Sequence, residues 1–281
     1  MMNGHFLAFS FVDRITALDP GRHIHGHYII PAGLAEFPVV LVGEAVGQLA
    51  AWAAMAALEF NARPVAGLAA SVNFSAPVLP GQKLELTASL EKLDNEAVAY
   101  HGRAEVEGQT VIELRDCVGP MLPVEQFDDP QALRRRFALL CQTGATPGAF
   151  GGVEPLALDE VSNEEGRCVR ATLHVPVQAS FFADHFPRRP VLPGTLLLNS
   201  TLELVSTLAA GLPAPAHGRR WVLRDITDVK LRAFTPPGST LKMEARLSQV
   251  SAEAAFVNVE ARDGKRLVGG ARMRLVPENS A

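Results

Sequence analysis

The feature that most constrains this chain is that it repeats itself. Residues 22–31, RHIHGHYIIP, align with 167–176, RCVRATLHVP, and both are alternating runs that open on Arg and close on Pro. Residues 72–81, VNFSAPVLPG, align with 229–238, VKLRAFTPPG. Each second block is followed by further alternating segments. In the first half these are KLELTASLEKL, AVAYHGRAEVEG and TVIELRDCV, and in the second TLKMEARLSQV, AAFVNVEARDG and LVGGARMRLV. A period of two predicts antiparallel strands, with turns at Asp94-Asn95, Gly108 and Asp263-Gly264. Blocks that recur in the same order imply two copies of one structural unit.

Each half also carries a long apolar segment between its two blocks. In the first half it is VVLVGEAVGQLAAWAAMAALEF, Val39 to Phe60, more hydrophobic all round than a surface helix would be. A sheet must therefore wrap it. A helix swaddled by a curved antiparallel sheet is the hot-dog arrangement, so the expected fold is α+β, a double hot-dog whose two tandem repeats pair as a homodimer would. The expected bounds are 1–127 for the first repeat, 128–150 for a linker and 151–281 for the second repeat. The linker begins with a short helix capped by Asp128 or Asp129, with Pro130 in its first turn, and ends in the Gly/Pro-rich TGATPGAFGG.

Composition narrows the class. Hydrophobic residues make up 48% and charged residues 20%, the balance of a globular protein. A net charge of -4 argues against a nucleic-acid binder, which would show a basic excess. The segment 39–60 is long enough to cross a bilayer, but Glu44 and Gln48 sit inside it and Ala and Gly dominate it, so a helix buried in protein is expected and no membrane span. The N-terminus has no basic region and carries Asp13 and Arg14 soon after a short apolar run, unlike a signal peptide. Cys117, Cys141 and Cys168 form neither a CxxC pair nor a framework, which fits a reducing cytoplasm.

The most specific segment is QASFFADHFPRRPVLPGTLLLNSTLELV, which follows Pro176. It resembles the active-site motif of the 3-hydroxyacyl-acyl-carrier-protein dehydratases, approximately FFxGHFPxxPxxPGVLxxEAxAQ. The match covers Phe181, Phe182, His185, Phe186, Pro187, Pro190, Val191, Pro193, Gly194 and Leu196. The resemblance implies that His185 is the catalytic base and that an acid stands fourteen residues later on the helix, where this chain has Asn199. The first half is complementary. Its helix opens GEAVGQLA, similar to the family's EAxAQ, so Glu44 and Gln48 occupy the places of the acid and its following Gln. Pro31 to Glu44 spans thirteen residues and Pro176 to Asn199 twenty-three, so the first half lacks the ten or so residues that would carry a His. His27 aligns with Thr172 on the preceding strand and is not the missing base. In the family the His of one subunit works with the carboxylate of the other. The fused pair is thus expected to keep one composite site, with His185 from the second half facing Glu44 from the first.

Elimination next to a thioester needs a base for the Cα proton, an acid for the departing hydroxyl and donors for the enolate-like oxygen. His185 suits the first task, since imidazole titrates near neutrality. Glu44 suits the second if its apolar neighbours Val42, Ala45 and Val46 keep it protonated. Gly194, opening the second helix, offers a backbone N–H and the positive helix end to the thioester oxygen, with Gln48 as a second positioning residue. Phe181, Phe182, Phe186 and Leu192 are candidates to line the acyl channel, although aromatic side chains here could equally be core. Asp184 stands where the family has Gly; it could orient His185, but a solvent-facing side chain is expected.

The expected partners are an acyl carrier protein or a CoA thioester, with the substrate on phosphopantetheine, no other cofactor, and further self-association of the fused unit left open. Arg134 to Arg136, Arg188-Arg189 and Arg219-Arg220 could attract an acidic carrier or its phosphate, or simply be solvated. His23, His25 and His27 share one strand face, but no Cys or carboxylate in register makes a metal site, and none is expected. Glu203 could replace the carboxylate missing at Asn199 only if a second His were present. Two other readings remain at this point: a thioesterase in which Glu44 activates water, and a non-catalytic acyl-binding or partner subunit.

Overall fold

The computed structural model describes residues 5–153, 156–215 and 220–278. In the first half, β1 (Arg14–Asp19) and β2 (His23–Ile29) lead into helix α1 (Val39–Ala57). Strands β3 (Ala62–Pro64), β4 (Leu68–Phe74), β5 (Lys83–Leu93), β6 (Ala97–Val106) and β7 (Gln109–Pro123) follow. Helix α2 (Pro130–Gln142) connects to the second half, which runs β8 (Leu158–Glu164), β9 (Cys168–His174), α3 (Gly194–Ala210), β10 (Trp221–Leu231), β11 (Thr240–Val250), β12 (Ala255–Asp263) and β13 (Arg266–Pro277). The alternating blocks are strands, and the meanders pair as neighbours in both halves. The hairpin at Gly108 turns through Glu107 at φ 52° and Gly108 at φ 79°, the positive-φ pair that a tight hairpin demands. At the preceding turn Asp94 Oδ1 accepts from the backbone N–H groups of Glu96 and Ala97.

All strands but β3 lie on one antiparallel path, β1-β2-β5-β6-β7-β4-β10-β13-β12-β11-β9-β8, while β3 pairs with β7. The two half-sheets meet where β4 pairs with β10, from Asn73 opposite Asp225 to Leu68 opposite Lys230. This is the double hot-dog: one continuous sheet curls around α1 and α3, which touch each other.

Packing, rather than capping, holds α1. It starts after Pro38 and ends at Leu58 with no side-chain cap. A good N-cap is worth about 1 kcal/mol, whereas Leu41, Val42, Val46 and Leu49 are each fully buried and contribute roughly 1.5–3 kcal/mol apiece. Among the described residues α1 is the one helix long and apolar enough to cross a membrane, and most of it is buried inside the sheet. Helix α3 likewise begins straight after a proline, Pro193, so Glu44 and Asn199 occupy equivalent positions, each five residues into its helix.

The connection between the halves is packed rather than slack. Asp129 caps α2 by accepting from Gln131 N–H, with Pro130 as first helical residue. Leu133 and Leu140 of α2 are buried, as is Phe150 beyond it.

Close approach of α1 to the sheet depends on Gly102 of β6. A Cβ there would lie 2.5 Å from Val46 Cγ1 and 2.7 Å from Thr87 O. Gly102→Ala is expected to destabilise the fold by about 1–3 kcal/mol through overpacking, read as a lower melting temperature in calorimetry; an unchanged melt would contradict the packing described.

Candidate functional site

A cavity of about 260 Å³ runs between α1 and the seam of the sheet and is lined by residues of both halves. Glu44 and His185 both line it. Glu44 projects from the second turn of α1. Its Oε2 accepts from Thr195 Oγ1 at 2.8 Å and its Oε1 from Gln48 Nε2 at 3.0 Å. Thr195 belongs to α3, so this carboxyl is held by both halves. Burial raises the Glu44 pKa, opposed by the Gln48 and Thr195 hydrogen bonds and by the nearby Arg63 charge.

His185 lies on the loop before α3. Its Nδ1 is 3.1 Å from the Val191 carbonyl oxygen, which can only accept, so the ring proton sits on Nδ1 and Nε2 keeps its lone pair. The loop is closed on itself by Val191 N–H donating to His185 O, and it is tied to its surroundings by Arg188 N–H to Phe127 O and Leu192 N–H to Thr235 O. Burial lowers the His185 pKa to about 4, partly offset by the Val191 bond. Its ring stacks on Phe186 with centroids 4.1 Å apart. The pair therefore combines a neutral imidazole with an open nitrogen and a carboxyl biased toward its protonated form, the complementary states that acid and base chemistry requires.

Other anticipated residues fall on both sides of expectation. Gly194 lines the cavity at the first position of α3, where the N–H has no intrahelical partner. Phe186 and Leu192 line the cavity, but Phe181 and Phe182 do not. Those two side chains are buried in the core and pack on each other with centroids 4.5 Å apart, because the short 3-10 turn Ser180–Ala183 directs them inward. Asn199 and Glu203 are not among the cavity residues, and Glu203 is exposed. The β2 histidines lie apart, His23 against Ser89 and His25 against Thr87. The arginines proposed as anion attractors mostly engage their own chain. Arg134 donates to Glu59 O, Arg188 to Glu125 O, Arg189 stacks on Phe234 and Arg220 pairs with Glu278. Arg136 packs on Phe6 at the cavity wall and Arg135 lies 3.8 Å from Asp129, while Arg219 lies outside the described residues.

The solvent-facing expectation for Asp184 is wrong. Its carboxylate accepts backbone N–H bonds from Phe6, Ala8 at 2.9 Å and Phe9 at 2.6 Å, and lies 3.4 Å from Ser10 Oγ. Burial raises its pKa while the Phe9 and Phe6 N–H groups pull it down. The physical reason is an N-terminal strap, residues 5–11, that crosses the site and needs an acceptor for the N–H groups of Phe6, Ala8 and Phe9. Gln48 holds the same strap by donating to Phe9 O at 3.0 Å and accepting from Phe11 N–H at 2.8 Å. Its amide is thus spent on Glu44 and the strap. Phe6, Phe9 and Ser10 form part of the cavity wall.

The dehydratase family described as ApeI-like (ApeI dehydratase) matches residues 161–270, which contain His185 but not Glu44. The 3-hydroxyacyl-[acyl-carrier-protein] dehydratase FabZ of Lactiplantibacillus plantarum is 30% identical over 112 residues, 40% of this chain and 76% of that protein. The FabZ of Escherichia coli O9:H4 is 32% identical over 115 residues, 39% of this chain and 75% of that protein. The chain belongs to the FabZ-type dehydratase family. Solved structures extend the fold likeness beyond the matched half. A putative oleoyl thioesterase from Lactobacillus plantarum aligns over 92% of this chain and 98% of its own, with TM-score 0.60 and 9% identity. A MaoC-like dehydratase aligns over the same shares with TM-score 0.54 and 10% identity. At such identities the likeness is one of fold, and it spans both repeats of this FabZ-type chain.

The strap gives a measurable expectation. Asp184→Asn removes the charge from a cluster of charge-assisted hydrogen bonds, each worth about 1.5–3 kcal/mol. Amide exchange of residues 6–11 is expected to accelerate by at least tenfold, with little change in the strands; unchanged protection would show that Asp184 does not fasten the strap.

Proposed function

We propose that the protein dehydrates (3R)-hydroxyacyl thioesters to trans-2-enoyl thioesters. The observation that carries this reading is the complementarity of the halves: the His185 loop occurs only in the second and the Glu44 carboxyl only in the first, and both line one cavity. With the acyl chain in that cavity, His185 Nε2 takes the Cα proton. The electron pair from that bond delocalises onto the thioester oxygen and returns to form the Cα=Cβ bond as the Cβ–O bond breaks, and Glu44 gives its proton to the departing hydroxyl, which leaves as water. Exchange with solvent returns both groups to their starting states. The Gly194 N–H, which lines the cavity at the positive end of α3, polarises the thioester oxygen in this reading. Gln48 and Thr195 orient the Glu44 carboxyl. Phe186 and Leu192 border the path of the acyl chain.

The chemistry calls for no cofactor beyond the pantetheine arm that carries the substrate, on an acyl carrier protein or CoA. A place in acyl-chain synthesis follows from the product, and buried thiols at Cys117 and Cys168 suit the reducing cytoplasm. Hydrolysis by Glu44 is less well supported. Both of its oxygens already accept from side chains, and such a reaction leaves the His185 loop without a task.

Turnover of a 3-hydroxyacyl thioester, followed as enoyl absorbance, tests the reading. His185→Ala and Glu44→Gln are each expected to lower kcat by about 10²–10⁴-fold. Absence of turnover by the wild-type protein on carrier and CoA substrates, or full activity in either variant, would refute it. The pH profile of kcat/KM is expected to fall at the acid side near 4, where His185 gains a proton. On the alkaline side it falls as Glu44 ionises, above the ordinary carboxylate range. Thr195→Val removes a donor that favours ionised Glu44 and moves that alkaline limb to higher pH.

A further inference from the structure

The reaction needs more than a base and an acid, and beside His185 the cavity wall carries a cation that the sequence did not point to. Arg63 lies at the middle of β3, opposite Leu122 of β7, and lines the cavity together with Glu44 and His185. Its side chain is only 12% exposed. A guanidinium so far removed from water is costly unless its charge is paired and its donors are satisfied. The charge is paired: Nη1 donates to buried Asp128 at 3.2 Å, and Asp128 has His5 3.7 Å away on its other side. The donors are not all used. Nε is buried without an acceptor, and among the described residues the guanidinium forms no hydrogen bond besides the one to Asp128. Buried donors without partners are rare enough to require a reason.

The placement supplies one. The guanidinium carbon lies 4.0 Å over the ring centroid of Phe186, the same ring on which the His185 imidazole stacks at 4.1 Å. Phe186 thus fixes base and cation relative to each other, while Asp128 sets the tilt of the guanidinium plane. We propose that Arg63 is a substrate-positioning residue whose guanidinium donates to the carbonyl oxygen of the bound thioester, alongside the Gly194 N–H. This rests on the thioester reading of the cavity. When His185 removes the Cα proton, the electron pair left on Cα delocalises onto that oxygen. It returns to form the double bond as the hydroxyl leaves with the proton of Glu44. A fixed cation with unspent N–H groups strengthens its hold on the oxygen while the charge is there.

The test is a binding cycle that does not need turnover. Affinities are measured by calorimetry for a saturated acyl-pantetheine thioester and for the thioether in which CH₂ replaces the carbonyl. The proteins are the wild type, Arg63→Lys, and Arg63→Gln combined with Asp128→Asn, the pair removed together so that neither charge is stranded. Wild type is expected to prefer the thioester by about 10–100-fold, the worth of a hydrogen bond to a charged group. The double variant is expected to lose most of that preference while its thioether affinity and melting temperature change little. Arg63→Lys, which keeps the charge but not the fork, is expected to fall between. A preference unchanged in both variants overturns the proposal and makes Arg63 a structural ion pair. If the double variant does not fold, an unchanged preference in Arg63→Lys overturns it alone. A wild type that prefers the thioester through Arg63 yet does not dehydrate hydroxyacyl thioesters refutes the dehydratase reading only. Turnover with no Arg63-dependent preference refutes this inference only.

Discussion

Antiparallel pairing of β4 with β10 is the contact on which the rest depends. Each half alone would leave an apolar helix under an unfinished sheet with a raw edge, and exposed edges recruit other strands. Joined at that seam, the two half-sheets form one surface around both helices, and the fused chain becomes its own partner. The seam also brings Thr195 of α3 against Glu44 of α1, so a hydrogen bond of 2.8 Å crosses between the halves at the centre of the cavity. Fold and site are in this sense one construction, since the pairing that buries the helices also brings Glu44 and His185 to the wall of one cavity.

Asymmetry follows from loop length. Both helices start directly after a proline, and Glu44 and Asn199 stand at matching positions. The first half, with its shorter approach to α1, has no loop to bring a histidine toward α3. The strap lies on the side that carries the histidine, because Asp184, next to His185, and Gln48, bonded to Glu44, grasp the same segment of backbone. Movement of the strap would therefore disturb both His185 and Glu44.

Much of this was legible in the sequence, and the reasons are physical. Period-two alternation survives in a strand whatever its partner, so β5 to β7 and β11 to β13 could be read directly. Fixed offsets of His, Pro and Gly betray a loop whose backbone must take one path, which picked out His185 and Gly194. What stayed hidden depends on contacts between distant segments. The strap binds through backbone N–H groups, which every sequence carries, so neither it nor the burial of Asp184 left a signature. Arg63 gains its interest from missing partners and from Phe186, more than a hundred residues away. Phe181 and Phe182 have the composition of a channel wall, and only the direction of a short turn turns them into core. Thr195 stands inside the motif at a position where the motif carries an apolar residue, so the pattern gives no sign of a hydroxyl that bonds Glu44.

The central claim is that a duplicated fold here builds a single composite site. The most direct measurement is the binding stoichiometry of a stable enoyl-pantetheine thioester to the intact protein by isothermal titration. One ligand per 281-residue chain, with binding lost when bulk is introduced at His185, is the result expected. Two ligands per chain, or one that binds undisturbed by changes at both His185 and Glu44, would contradict the account.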